Sequence, residues 1–142
     1  MTTPGMVLHF SVEGGDFAAA GEAASKIKKA LRKIGIDAGV IRRVAIAAYE
    51  AEMNIVLHAR RGRLVLEVAE DKLQVIAEDE GPGIPDVNQA MQEGFSTASD
   101  LAREMGFGAG MGLPNMKKCS DTITIESVKD RGTKVVMGFD HR

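Results

Sequence analysis

Apolar and polar positions change period along this chain, and each change marks an element. Val7 to Val12 (VLHFSV) alternates, the period of a half-buried strand. Gly14-Gly15-Asp16 breaks the alternation and places Asp16 as a helix N-cap. From Phe17 to Ile34 the residues Ala20, Ala24, Ile27, Leu31 and Ile34 recur at helical spacing. Lysines and arginines gather late in that segment, where they complement the helix dipole, and Gly35 is set to close it. Asp37 opens a second predicted helix running to about Ala59, with Val40, Val44, Ala47, Ala51 and Ile55 on its apolar side.

Arg61-Gly62 is expected to turn the chain, and LVLEVAE and LQVIAED then read as two strands around a tight turn near Asp71. Glu80-Gly81-Pro82-Gly83 reads as a loop, and a short helix is expected around Val87 to Met91. Glu93 to Gly110 has weak periodicity and many small residues, which predicts a long mobile loop. Gly112 to Ser120 is a third helix, and TITIESV and TKVVMGF form a closing hairpin around Asp130-Arg131-Gly132. The order β-α-α-β-β-loop-α-β-β has consecutive hairpins. It predicts an α+β two-layer sandwich: a mostly antiparallel mixed sheet covered on one face by three helices.

Composition narrows the function classes. A chain of 142 residues fits one domain, read here as spanning 1–142. A formal net charge of -2 gives no basic surface for nucleic acid or anionic membrane. The single cysteine, Cys119, can form no internal disulfide and fits a reducing compartment. It reads as a small packing residue, like Met105, Met111 and Met116, which read as lid and core packing. The first residues lack a basic segment followed by an apolar run, and no apolar stretch approaches the ~20 residues of a membrane span. A cytoplasmic protein is therefore expected.

Three polar constellations interrupt the apolar pattern. On the second helix, Glu50 and Asn54 stand one turn apart on one face, and His58 continues the line. A carboxylate there can accept a proton and an amide oxygen can ligate a hard cation, while a solvated polar stripe would read the same way. Asp79 ends a strand and is followed by Gly81 and Gly83. That pattern serves either as an ordinary turn or as a carboxylate meeting an exocyclic amine over an unobstructed backbone. Gly106-Phe107-Gly108-Ala109-Gly110-Met111-Gly112-Leu113 leads into the third helix, where backbone N–H groups and the dipole favour phosphate. It lacks the Gly-Lys-Ser/Thr of a P-loop and does not follow a first strand as a dinucleotide fingerprint would.

Glu50-x-x-x-Asn54 on a helix, Asp79-x-Gly81-x-Gly83 after a strand, Gly108-x-Gly110-x-Gly112-Leu113 into a helix and Gly132-Thr133 before a last strand come in one order. Together they resemble the N, G1, G2 and G3 boxes of the GHKL ATPases, the superfamily that includes gyrase and the histidine kinases. The match covers nearly the whole chain. Its short length and the stretch Gly110 to Lys118 look most like the anti-sigma factor/serine-protein kinase branch, the switch kinases of partner-switching modules. None of His9, His58 or His141 stands in a phospho-acceptor motif.

The resemblance implies ATP and Mg²⁺ as ligands. It makes Asn54 the Mg²⁺ ligand, Glu50 the group that orients or deprotonates the attacking hydroxyl, and Asp79 the adenine-reading carboxylate with Gly81 and Gly83 close to the base. Gly108, Gly110 and Gly112 would wrap the phosphates, Leu113 would belong to the same nucleotide site, Thr133 would support the adenine end, and 93–110 would be the ATP lid. The implied activity is phosphorylation of a STAS-domain anti-anti-sigma-type protein on serine or threonine, with a sigma factor as a further partner and a homodimer as the candidate assembly. An ATP-responsive anti-sigma module with little kinase activity shares every nucleotide contact. Two positions depart from the family pattern: Glu52, expected to be harmless because it faces away from Glu50, and Glu80, expected to add negative charge near the nucleotide.

Overall fold

The computed structural model describes residues 5–83 and 112–141. Their elements follow the order β1 (Met6–Glu13), α1 (Glu22–Lys33), α2 (Ala38–His58), β2 (Arg61–Val68), β3 (Lys72–Glu80), α3 (Gly112–Cys119), β4 (Thr122–Val128) and β5 (Gly132–Asp140). The strands form a five-stranded sheet in the order β1-β2-β3-β5-β4. All four described pairings are antiparallel, so the α+β expectation holds while the mixed component does not occur among them. β2–β3 and β4–β5 are hairpins, and β1 and β2 are joined through α1 and α2; each of these pairs is antiparallel.

Alternation sets the layers. Leu64, Leu66 and Val68 of β2, Leu73, Val75 and Ala77 of β3, and Val135, Met137 and Phe139 of β5 are buried at every second position, and Val65 of β2 is buried as well. The alternating residues meet Ile27 and Leu31 of α1, Val44, Ala47, Ala51 and Ile55 of α2, and Met116 of α3 in one core. The small alanines of α2 let α1 and α3 approach it from either side.

The ends of α1 and α2 show what local sequence dictates. Gly35 (φ 78) closes α1: its N–H donates to the Arg32 carbonyl at 3.1 Å and the Ile36 N–H reaches back to the Leu31 carbonyl at 3.2 Å. That pair of bonds is a Schellman motif, which needs a left-handed residue at this point. Asp37 caps α2 as predicted, accepting from the Gly39 and Val40 N–H groups at 2.9 and 3.4 Å.

The start of α1 differs from expectation. Asp16 does not cap it: it accepts from the Ala19 N–H at 3.2 Å in a separate turn, and the helix begins at Glu22 after Gly21 (φ 97). The cap comes from α2 instead. Glu52, 2% exposed, accepts from the N–H groups of Gly21 (2.9 Å), Ala23 (3.3 Å) and Ala24 (2.9 Å). A buried carboxylate thus satisfies three orphan donors and faces the positive end of the α1 dipole. Glu52 does face away from Glu50, as expected, but it has a structural role as a buried cap. Arg43 of α2 serves α3 in the opposite sense, donating to the Cys119 carbonyl at the helix C-terminus (3.2 Å) and pairing with Asp121 (3.3 Å). Arg61-Gly62, expected as a turn, opens β2, where Gly62 pairs with Asp79.

Candidate functional site

The second half of α2 organises the site. Glu50 and Asn54 project from it toward the first turn of α3, both partly exposed. At Gly112 a methyl group would stand 3.2 Å from the Asn54 Oδ1 and 3.6 Å from the Glu50 Oε2. The space where a side chain would be is therefore bounded by an amide oxygen, a carboxylate oxygen and the N-terminus of a helix. Leu113 and Met116 anchor α3 beneath it, 6% and 0% exposed. Asn115, one turn along α3, donates from Nδ2 to the Glu50 Oε1 at 3.3 Å.

A second cluster forms where β3 ends. The Asp79 Oδ1 accepts from the Thr133 N–H at 3.2 Å, and Thr133 Oγ1 lies 3.2 Å from Ser127 Oγ. Gly132 is required here: a methyl group on it would fall 1.9 Å from the Asp79 carbonyl oxygen. The 81–83 turn is stitched to the β4–β5 hairpin by Gly81 N–H to the Arg131 carbonyl (3.2 Å) and Asp130 N–H to the Pro82 carbonyl (2.9 Å). Gly83 (φ 80) lies so close to β4 that a methyl group would meet the Val128 carbonyl at 2.7 Å. The Asp-x-Gly-x-Gly turn and the Gly-Thr strand start, far apart in sequence, are thus one structure. A methyl group on Gly81 would come within 3.1 Å of the Ala59 Cα, so this cluster sits at the C-terminal end of α2. Asn54 lies five residues earlier, about 7.5 Å along the helix axis at 1.5 Å per residue.

Burial pushes the Asp79 carboxyl above its ordinary value, and the Thr133 N–H partly offsets that. Glu80, expected to bring uncompensated charge, is exposed and paired with Arg61, which holds its carboxyl below the ordinary value. Burial lowers the His58 imidazole, so it is neutral at pH 7. Burial raises the Cys119 thiol, which fits packing and not nucleophilic chemistry.

Of the residues singled out from sequence, Glu50, Asn54, Gly112 and Leu113 come together in one cluster and Asp79, Gly81, Gly83 and Thr133 in the other. Gly108 and Gly110, the helix around 87–91, and the lid over 93–110 lie outside the described residues. Asn115, which contacts Glu50, carries one sequence signal: its place one turn after Gly112. A cleft of about 410 Å³ opens elsewhere, between β1 and α1, and Glu52 forms part of its wall. Among the described residues no three His, Cys, Asp or Glu side chains gather as a metal cluster, and no helix is long and apolar enough to cross a membrane.

The two clusters lie along one helix, one at the N-terminus of α3 and one around the half-buried Asp79, in a fold of the ATPase class. The chain belongs to the family of histidine kinase-like ATPase domains, whose profile matches residues 16–139. It is 38% identical over 97 residues to the serine/threonine-protein kinase RsbT of Bacillus subtilis, a match covering 66% of this chain and 67% of that protein. It is 33% identical over 100 residues to the anti-sigma F factor of Clostridium novyi, covering 66% of each. Matches to these curated relatives therefore span about two thirds of their length. The fold superposes on the crystal structure of the RsbU and RsbW domains of Rv1364c from Mycobacterium tuberculosis with a TM-score of 0.65 at 17% identity, covering 96% of this chain and 32% of that one.

Proposed function

We propose that this chain is an ATP-dependent protein serine/threonine kinase of the anti-sigma regulatory type, acting on a small STAS-type partner protein. The observation that carries this reading is the convergence of Glu50, Asn54 and the N-terminus of α3 around the space at Gly112. Phosphate binding needs only the helix N-terminus and a cation ligand. A carboxylate at the same point adds a proton acceptor, which transfer to a hydroxyl uses and simple binding does not.

The residues fit Mg²⁺: Asn54 offers a hard amide oxygen beside a helix terminus that favours phosphate. When bound, the cation supplies charge neutralisation to the transferring group. The chain's own residues do the rest. Glu50 takes the proton of the attacking serine or threonine hydroxyl as its oxygen bonds to the γ-phosphorus and the bond to ADP breaks. Asp79 accepts from the adenine amine, Gly81 and Gly83 let backbone lie against the ring, and Thr133 holds Asp79 from behind. The transition state asks mainly for positioning and electrostatics, which this arrangement supplies. The chain acts as one nucleotide-binding unit in the cytoplasm, with no nucleic acid or membrane as partner.

The second reading is an ATP-responsive anti-sigma module that binds a sigma factor and transfers little phosphate. The relatives that carry the name anti-sigma F factor favour it. Labelled ATP incubated with the protein and STAS-domain candidates separates the two. Phosphoserine or phosphothreonine on the candidate supports the kinase. Tight ATP binding with no transfer to any candidate leaves the regulatory binder.

Asp79 gives a test of the adenine assignment with opposing readouts. A carboxyl whose value is raised by folding is favoured in its neutral form, so Asp79 opposes folding increasingly as pH rises past the ordinary aspartate range. Asp79→Asn should therefore hold or raise the melting temperature at pH 7 while lowering nucleotide affinity about tenfold or more, since an amide can present a donor to the adenine amine. Calorimetry beside a thermal melt checks both. Undiminished affinity would remove Asp79 from adenine recognition.

A further inference from the structure

We propose that Asn115 is the positioning residue for the Glu50 carboxylate, holding one oxygen so that the other faces the space at the α3 N-terminus; this rests on the kinase reading of Glu50. The two oxygens of Glu50 have different surroundings. Oε1 accepts from Asn115 Nδ2 at 3.3 Å. Oε2 lies 3.6 Å from where a Gly112 side chain would begin, a point that is also 3.2 Å from the Asn54 Oδ1. One oxygen is thus tied to α3, and the other looks into the space assigned to the reacting groups.

Chemistry fixes the sense of the bond. A carboxylate only accepts, so the Asn115 amide must turn its NH₂ toward Glu50. Among the described residues Glu50 has no ion pair, and Asn115 is its hydrogen-bond partner. A lysine in its place would also fix the carboxylate, but it would add a charge competing with the cation for the same oxygens. The neutral amide orients without that cost.

Placement gives the arrangement its use. Gly112 and Asn115 are three residues apart and share one face of α3. The helix whose N-terminus is assigned to phosphate therefore also carries the group that aims the proton acceptor. Any shift of α3 relative to α2 moves both together. Arg43, which grips the far end of α3 through the Cys119 carbonyl, holds that helix in register on α2. The arrangement follows the general logic of an activated nucleophile, in which a base is in turn oriented by a third group.

The test compares wild type, Asn115→Ala, Asn115→Asp, Glu50→Gln and the Asn115→Ala/Glu50→Gln double variant. Alanine suits the helix, and a thermal melt verifies folding. Asn115→Ala should lower the kcat of transfer about tenfold with nucleotide Kd within about twofold, and Asn115→Asp, the same shape without a donor, should fall at least as far. In the Glu50→Gln background the alanine change should add less than roughly a twofold loss, because a residue acting through Glu50 has nothing left to aim. Wild-type kcat in Asn115→Ala, or losses that multiply in the double variant, would overturn the proposal.

A second readout does not depend on activity. The side-chain amide resonances of Asn115 should move in Glu50→Ala by NMR, and unchanged resonances would overturn the proposal. If wild type transfers no phosphate, the kinase reading falls. Moved resonances would then establish only the contact, and the positioning role would fall with the reaction it serves.

Discussion

Glu50→Gln is expected to cut phosphoryl transfer by about 10²–10⁴-fold, the usual cost of a lost general base, while nucleotide affinity stays nearly unchanged. Glutamine keeps the size of the side chain and a hydrogen-bonding oxygen for Asn115, so the loss isolates proton acceptance from shape. Asn54→Ala should behave differently. It removes the amide oxygen beside Gly112 and should weaken both Mg·ATP binding and turnover. Single-turnover transfer with labelled ATP, run beside calorimetric titration of the same variants, reads both quantities. Transfer by Glu50→Gln at the wild-type rate would leave the kinase standing and remove Glu50 as its base. Loss of affinity in step with loss of rate would make Glu50 a nucleotide ligand instead.

The largest effect on stability is expected two residues away. Glu52→Ala leaves the N–H groups of Gly21, Ala23 and Ala24 without their acceptor, and Ala23 and Ala24 are buried. An orphaned buried donor costs about 1–3 kcal/mol, and a hydrogen bond to a charged group contributes about 1.5–3 kcal/mol. Because the three donors share one cause and α1 can partly relax, the expected loss is about 3–5 kcal/mol, a large part of the ~5–15 kcal/mol of a typical domain. At about 2–4 °C per kcal/mol the melting temperature should fall by roughly 10 °C. Glu52→Gln, which keeps one carbonyl oxygen, should lose less. Urea unfolding of the two variants beside Glu22→Ala, which changes an exposed acid in the first turn of α1, gives the comparison. A loss under about 1 kcal/mol in Glu52→Ala would mean that water or a rearranged α1 satisfies those donors, and the capping role would fail.

Relations within one turn of helix, or within one hairpin, were readable directly. The Asp37 cap bonds residues two and three positions on, the Gly35 closure spans one helical turn, and Glu50 and Asn54 share a face by their spacing alone. Alternation in β3 and β5 separated the buried positions from the rest for the same reason: each depends on a period fixed by backbone geometry. The order of elements and four motifs in series were enough to reach the family. Where local rules competed, sequence reading went astray. Asp16 is a good cap residue directly before an apolar run, but a stronger acceptor arrives from elsewhere and the helix starts later.

What the tertiary structure alone decided are the contacts between distant segments. Glu52 reaches α1 across 28 to 31 residues, Asp79 meets the Thr133 N–H across 54, and Asn115 meets Glu50 across 65. No period encodes such pairs. They follow from how α1 and α3 pack on the alanine-rich flanks of α2 and from the close approach that Gly132 allows between β5 and β3. Sequence by itself determined which residues could carry nucleotide chemistry. Packing determined that Glu50 and Asn54 face the N-terminus of α3, that Glu52 holds α1, and that Asn115 is the hydrogen-bond neighbour of the Glu50 carboxylate, because burial and distance are properties of the folded core and not of the chain.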